Sequence, residues 1–245
     1  MIAGGWFGAM EFARVVFYGR LGRQALAMFA LEPQRWRGAR VLDCPGGPGS
    51  LSALLRAEGL DVTAVDPLYA LNEAELERRA LSDLEAAMAQ LAGDPAIRPD
   101  FDLAACRQEH LEALETFLAD RRAHPERYVA ASLPALPFTD RSFDLVLCGH
   151  LLFSYAPCSA GGLMREPGLD LAWHRRALAE LLRLSRRAVR IYPAHTMERQ
   201  ARRHPYAEAL LAELPAGWQG RFAATAYDQG HDGLTDVLDL EHTSA

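Results

Sequence analysis

Short apolar runs alternate with longer stretches whose apolar residues recur every three to four positions, and the alternation continues through most of the chain. The runs have the length of strands, and the longer stretches place one apolar stripe on a helix. Residues 40–44 form the first run and residues 61–65 the second. From Asn72 a long helix is predicted: Asn72 and Glu75 make a capping box, and Leu76, Ala80, Leu84, Met88 and Leu91 keep helical period. Pro95 and Pro99 interrupt it, and a second helix from about Leu103 carries Leu111, Leu114 and Leu118 on one face.

Further strands are predicted over residues 127–131, 142–148 and 187–192, with helices over 171–184 and 206–214. The run 142–148 is apolar enough to be buried on both faces, as in a parallel sheet. Two final strands, 221–227 and 234–240, lie close enough for a hairpin-like pairing. Strands alternating with helices predict an α/β fold: a mostly parallel, seven-stranded sheet with helices on both faces and an antiparallel C-terminal edge. No internal repeat is present. The expected organisation is one domain, residues 1–245, with an N-terminal helical segment over 1–37 and a helical insertion over 69–127. That insertion exceeds what a simple crossover needs. A lid over a bound molecule and a helix pair that only decorates the surface both fit.

With 245 residues, half of them hydrophobic, the chain can bury a full core. Its formal charge of -6 disfavours the nucleic-acid backbone as a main partner. All 26 basic residues are arginine, which removes Schiff-base chemistry, a catalytic lysine amine and a phosphate-loop lysine. Cys44, Cys106, Cys148 and Cys158 show no paired spacing, so neither a zinc site nor a disulfide framework is expected, and a reducing, cytoplasmic compartment is. Glu11, Arg14, Arg20 and Arg23 break up the apolar N-terminus, and no run reaches the ~18 apolar residues of a membrane span. No membrane partner is expected.

The chemistry concentrates where the first strand meets a glycine-rich turn. A strand ending in Asp43, the turn Pro45-Gly46-Gly47-Pro48-Gly49, a helix, and a second strand ending in Asp66-Pro67 make a nucleoside-binding arrangement. Gly47 and Gly49 allow close approach of the backbone to a ligand. The start of the next helix offers unpaired N–H groups to an anion. Asp66 stands where a carboxylate can accept both hydroxyls of a ribose. Dinucleotide dehydrogenases use the same geometry, but here Ser52 occupies the position of their third glycine.

At these residues the chain resembles the class I S-adenosylmethionine-dependent methyltransferases, with their Rossmann-like fold. Val41-Leu42-Asp43-Cys44-Pro45-Gly46-Gly47-Pro48-Gly49 looks like the family's first motif, and Val62-Thr63-Ala64-Val65-Asp66 is similar to its second strand. Leu136-Pro137-Phe138-Thr139-Asp140-Arg141-Ser142-Phe143-Asp144-Leu145-Val146 matches the stretch leading into the fourth strand. The leucine-rich 176–184 sits where the family has a helix before strand five. The resemblance spans roughly residues 38–192 and implies S-adenosylmethionine as cofactor. It implies a binding set of Asp43, Pro45, Gly46, Gly47, Gly49, Asp66, Pro67, Ser132 and Leu133. Pro45 replaces a usual glycine, and Ser132 replaces an aspartate that faces the adenine amino group.

Tyr18, Gly19 and Arg20 precede the first strand and can fold back over the cofactor, with Arg20 pairing its carboxylate; a surface salt bridge is the plainer alternative. The positions just beyond strand four face an acceptor, which makes His150 and Tyr155 the candidate catalytic residues, ahead of His174, His195 and His204. Asp144 is expected to be a structural acceptor, and the arginines from 183 to 203 a solvated face. Three readings stay open: a small-molecule methyltransferase, a nicotinamide-dependent oxidoreductase, and an adenosyl-cofactor-binding protein without catalysis.

Overall fold

The computed structural model describes residues 10–244. Its main sheet has seven strands. In chain order they are β1 (Arg40–Asp43), β2 (Asp61–Val65), β3 (Tyr128–Val129), β4 (Phe143–Gly149), β5 (Ser185–Tyr192), β7 (Trp218–Ala224) and β9 (Asp236–His242). They lie side by side in the order β3-β2-β1-β4-β5-β9-β7. The pairs from β3 to β5 are all parallel, while β9 runs antiparallel to both β5 and β7.

Alternate residues of the central strands enter different cores, as the pleat requires. Leu42, Val65, Val146 and Val189 pack on one face, against Ala177, Leu178, Leu181 and Leu182 of α5 (Leu171–Leu184). Val41, Val62, Leu145 and Leu147 pack on the other, with Ala25 and Met28 of α1 (Gly22–Met28) and Leu51 and Leu55 of α2 (Leu51–Ala57). Asp170 starts α5 by accepting the Trp173 N–H at 2.7 Å, and Asp144 accepts the Arg40 N–H at 2.8 Å, the structural role expected of it.

The insertion contains α3 (Glu73–Leu91) and α4 (Leu103–Ala123). The Asn72–Glu75 capping box forms as expected, and Asp102 caps α4. Leu76 and Ala80 of α3 meet Leu114, Phe117 and Leu118 of α4 over Tyr69 and Tyr128. Arg56 ties this unit to the sheet by contacting both Asp120 and the Tyr128 hydroxyl.

The C-terminal strands pair antiparallel at one edge of the sheet, as expected, with β7 outermost and β9 between it and β5. Two expectations change. The third strand shrinks to Tyr128–Val129, paired with Ala64 and Val65 of β2, because residues 125–127 wind into a 3-10 turn just before it. The N-terminal segment is not a helix throughout: residues 10–20 form an extended strap, and α1 begins only at Gly22. Residues 1–9 of that segment lie outside the described residues. A small parallel pair, β6 (Gln200–Ala201) with β8 (Asp232–Gly233), had no sequence signal, and α6 (Pro205–Ala212) is capped by His204.

The strap is extended because its polar groups bond to distant segments. The Met10 N–H donates to Asp94, the Glu11 N–H to Gln90, and the Phe12 N–H to the Leu163 carbonyl. Arg14 forms two hydrogen bonds to buried Asp83, which also accepts the Phe17 N–H at 2.7 Å and Arg79 at 3.0 Å. The Val16 N–H donates to the Tyr155 hydroxyl.

Candidate functional site

Asp43 ends β1, and Asp66 follows β2, its parallel neighbour, so both carboxylates arrive at the same sheet edge. Between them the chain turns through residues 44–50. Gly47 there has φ +52, and a Cβ on it would meet nothing within 4 Å. Its carbonyl accepts the Tyr69 hydroxyl at 2.7 Å, which fixes the turn against the chain beyond β2. From the other side the strap crosses the turn at Gly19, where a Cβ would stand 2.1 Å from the Gly49 nitrogen. Only glycine permits that crossing. The Ser50 N–H then donates to the Arg20 carbonyl.

A single cavity opens at this edge, lined by Asp43, Pro45, Gly46, Gly47, Gly49 and Asp66 on the sheet side. Both carboxyls are buried, and burial is the main cause of their raised pKa values, about 7 for Asp43 and about 6 for Asp66. Ser52 donates to Asp43 at 3.0 Å, and the Leu68 N–H to Asp66 at 2.9 Å, which partly offset the burial. Each carboxyl keeps acceptor capacity for a ligand. α2 has only seven residues, and the N–H of its N-cap Ser50 is taken by the Arg20 carbonyl.

Arg20, His150 and Tyr155 line the same cavity, although Arg20 lies more than a hundred positions before the other two. Arg20 makes no salt bridge among the described residues. Its Nε donates to the Tyr227 hydroxyl at 2.9 Å, and its guanidinium lies 5.5 Å from the Tyr18 ring centre and 5.9 Å from that of Tyr227. The surface-salt-bridge alternative therefore does not hold. His150 follows β4 with a left-handed backbone, φ +49, unusual for a residue with a side chain. Its N–H donates to the Tyr192 carbonyl at 2.7 Å, while its buried Nε2 has no partner among the described residues. Burial, reinforced by Arg20, His195, His110 and His231, holds its pKa well below the ordinary histidine value. Tyr155 accepts from the strap, and burial raises its phenol.

Three members of the expected set stand apart from the cavity lining. Pro67 and Ser132 are exposed, and Leu133 is buried in the core. Ser132 lies beyond the short β3, where its carbonyl accepts the Ala135 N–H, so it stands near the edge without reaching the cavity wall. His174 and His204, two of the lesser candidates, stand outside the cavity lining. His174 Nε2 accepts the Phe153 N–H while Nδ1 donates to the Asp170 carbonyl, and His204 Nδ1 accepts the Tyr206 N–H. The nearby arginines are occupied too: Arg183 pairs with Glu180 and Asp140, Arg190 with Asp239, and Arg202 with Glu198.

Sequence reasoning missed much of the outer wall. Leu91, Ile97, Phe101, Cys106 and His110 of the insertion line the cavity, as do Tyr227, Gln229 and His231 near the C-terminus. His110 left a signal, because it shares a helical face with Ala113, Leu114 and Phe117. A polar residue on an apolar face needs a partner, and here it is the Gly19 carbonyl. His231 left none. Among the described residues no cluster of three or more His, Cys, Asp or Glu side chains is arranged for a metal, and no helix is long and apolar enough to cross a membrane.

No family model matches the chain. The uncharacterized protein MJ0045 of Methanocaldococcus jannaschii is 26% identical over 184 residues, 73% of this chain and 77% of that one. Magnesium protoporphyrin IX methyltransferase from Synechocystis, solved with S-adenosylhomocysteine, gives a TM-score of 0.47 at 13% identity over 90% of this chain and 83% of that one. The 1,6-didemethyltoxoflavin-N1-methyltransferase of Burkholderia thailandensis gives 0.46 at 17% identity over 89% and 77%. By its own strand order and its glycine turn between Asp43 and Asp66, the chain has the fold that its resemblance to the class I S-adenosylmethionine-dependent methyltransferases implies.

Proposed function

We propose that the cavity holds S-adenosylmethionine and that the chain is a methyltransferase acting on a small-molecule acceptor. One observation carries the reading: two buried carboxyls with spare acceptor capacity flank a glycine turn and line one cavity. Asp66 would take the ribose hydroxyls, Asp43 would serve the same cofactor, and Arg20 would face its carboxylate. When bound, the cofactor supplies an electrophilic methyl group. What remains for the protein is to orient the acceptor and exclude water. The strap and the insertion supply that enclosure, since both reach the cavity wall. Their role as a cover is part of the proposal.

Calorimetric titration with S-adenosylmethionine, S-adenosylhomocysteine and NAD(H) tests it. Both adenosyl ligands are expected to bind, and Asp66→Ala to weaken them by about tenfold or more. Binding of NAD(H) alone would replace the reading with a nicotinamide enzyme. That outcome is disfavoured by Ser52, which fills the third-glycine position and spends its hydroxyl on Asp43.

A further inference from the structure

We propose that the acceptor is an uncharged, apolar-bodied phenol or enol whose hydroxyl is held by His150 Nε2, with a second polar atom at His231 Nδ1. The inference rests on the methyl-transfer reading and names its acceptor. Both ring nitrogens are buried, both are without a partner among the described residues, and both side chains line the cavity. A buried polar atom left unpaired is costly, so three of them on residues of one cavity wall, His150 Nε2, His231 Nδ1 and Ser154 Oγ, mark where a ligand supplies the missing hydrogen bonds.

Charge narrows the class. A carboxylate acceptor needs a cation, yet the one arginine in the lining is held between Tyr18 and Tyr227 beside the glycine turn. An alkylamine arrives protonated and needs a carboxylate, yet the lining offers only Asp43 and Asp66, on the cofactor side. Burial, Arg20, His195, His110 and His231 all lower the His150 pKa, and the Tyr192 ring lies edge-on to it at 5.4 Å between ring centres. They keep it a neutral imidazole, hence a weak base. Such a base removes a proton from a conjugated hydroxyl and not from an alkanol, whose proton is far less acidic. Phe12, Leu91, Ile97, Phe101, Leu163 and Met197 supply apolar surface for the rest of the molecule.

The step balances. The acceptor oxygen forms its bond to the methyl carbon, the C–S bonding pair stays on sulfur, and the hydroxyl proton passes to His150 Nε2. One positive charge moves from sulfonium to imidazolium, so the desolvated cavity holds the same net charge before and after.

The test titrates S-adenosylhomocysteine-loaded protein with 4-nitrophenol below that phenol's own pKa, alongside benzoate and benzylamine as charged molecules of similar size. 4-Nitrophenol is expected to bind at least about tenfold more tightly than either. His150→Asn is expected to weaken it by about tenfold without altering S-adenosylhomocysteine binding, because asparagine tolerates the left-handed backbone. His231→Phe is expected to weaken it less. Equal or tighter binding of benzoate or benzylamine overturns the inference, as does an unchanged affinity in His150→Asn. If S-adenosylhomocysteine binds and the phenol does not, only the acceptor assignment fails. If S-adenosylhomocysteine does not bind the wild-type protein, the cofactor reading fails and takes this inference with it.

Discussion

The sheet-side wall of the cavity comes from one stretch of chain, Asp43 to Asp66, whereas the rest is assembled from stretches far apart in sequence: the strap with α1, the insertion, residues 149–163, Met197 and residues 227–231. Backbone geometry makes the first wall, through parallel strands that set two acids at one edge and a turn that only a few residue types can follow. Side chains make the second, through Asp83, Asp94, Gln90, Tyr155 and Tyr227. The first should therefore tolerate loss of single side-chain contacts, and the second should not.

The largest effect is expected where the walls touch. Gly19→Ala forces a Cβ against the Gly49 backbone, which no rotamer change relieves. A cost of about 3 kcal/mol follows, read as a fall in Tm of roughly 6 °C or more. An unchanged Tm would mean that strap and turn do not meet in solution. Next is Asp83→Ala, which strands the Phe17 N–H and releases Arg14 and Arg79. It should cost about 2 kcal/mol and speed tryptic cleavage at Arg14, while a cleavage rate like that of the wild type would show that the strap is held by other means.

Proton linkage probes the first wall alone. Asp43 and Asp66 have raised pKa values of about 7 and about 6, so the folded, ligand-free chain binds protons more tightly than the unfolded chain. Their contribution to stability is full at low pH and is lost as pH rises through those values. Ligand hydroxyls need the ionised forms, so affinity for S-adenosylhomocysteine should run the opposite way. It should level off above the pKa of Asp43, fall up to about tenfold per unit between the two values, and up to about a hundredfold per unit below that of Asp66. A flat profile would separate these acids from the ligand. The smallest effect belongs to Arg175→Ala, which breaks the exposed pair with Glu213 and should change neither Tm nor affinity measurably.

The same contrast explains what the amino-acid pattern revealed. Residues 61–65 and 171–184 were legible to the residue, because an apolar run and a stripe with an Asp170 cap are local signals. Asp43, the glycine turn and Asp66 were legible because their spacing is set by one strand–turn–helix–strand unit. The strap was misread because its apolar residues suit a helix, whereas its hydrogen bonds end on side chains up to 207 positions away. His231 was invisible for a related reason, since nothing near it distinguishes it from a surface histidine. The position of β9 inside the sheet depends on which edges β5 and β7 present, which neighbouring residues do not encode.

The bonds along the strap bear also on the traffic of molecules. None of its named bonds belongs to the seven-stranded ladder; they join it to α3 and the segment after it, to His110 of α4, to the glycine turn at Ser50, to Tyr155 and the loop around Leu163, and to Tyr227. A molecule that exchanges with the cavity has to part segments, not strands. The dwell time of a bound molecule is then governed by how often a local patch of the chain opens, a process that leaves the sheet intact and costs less than unfolding it.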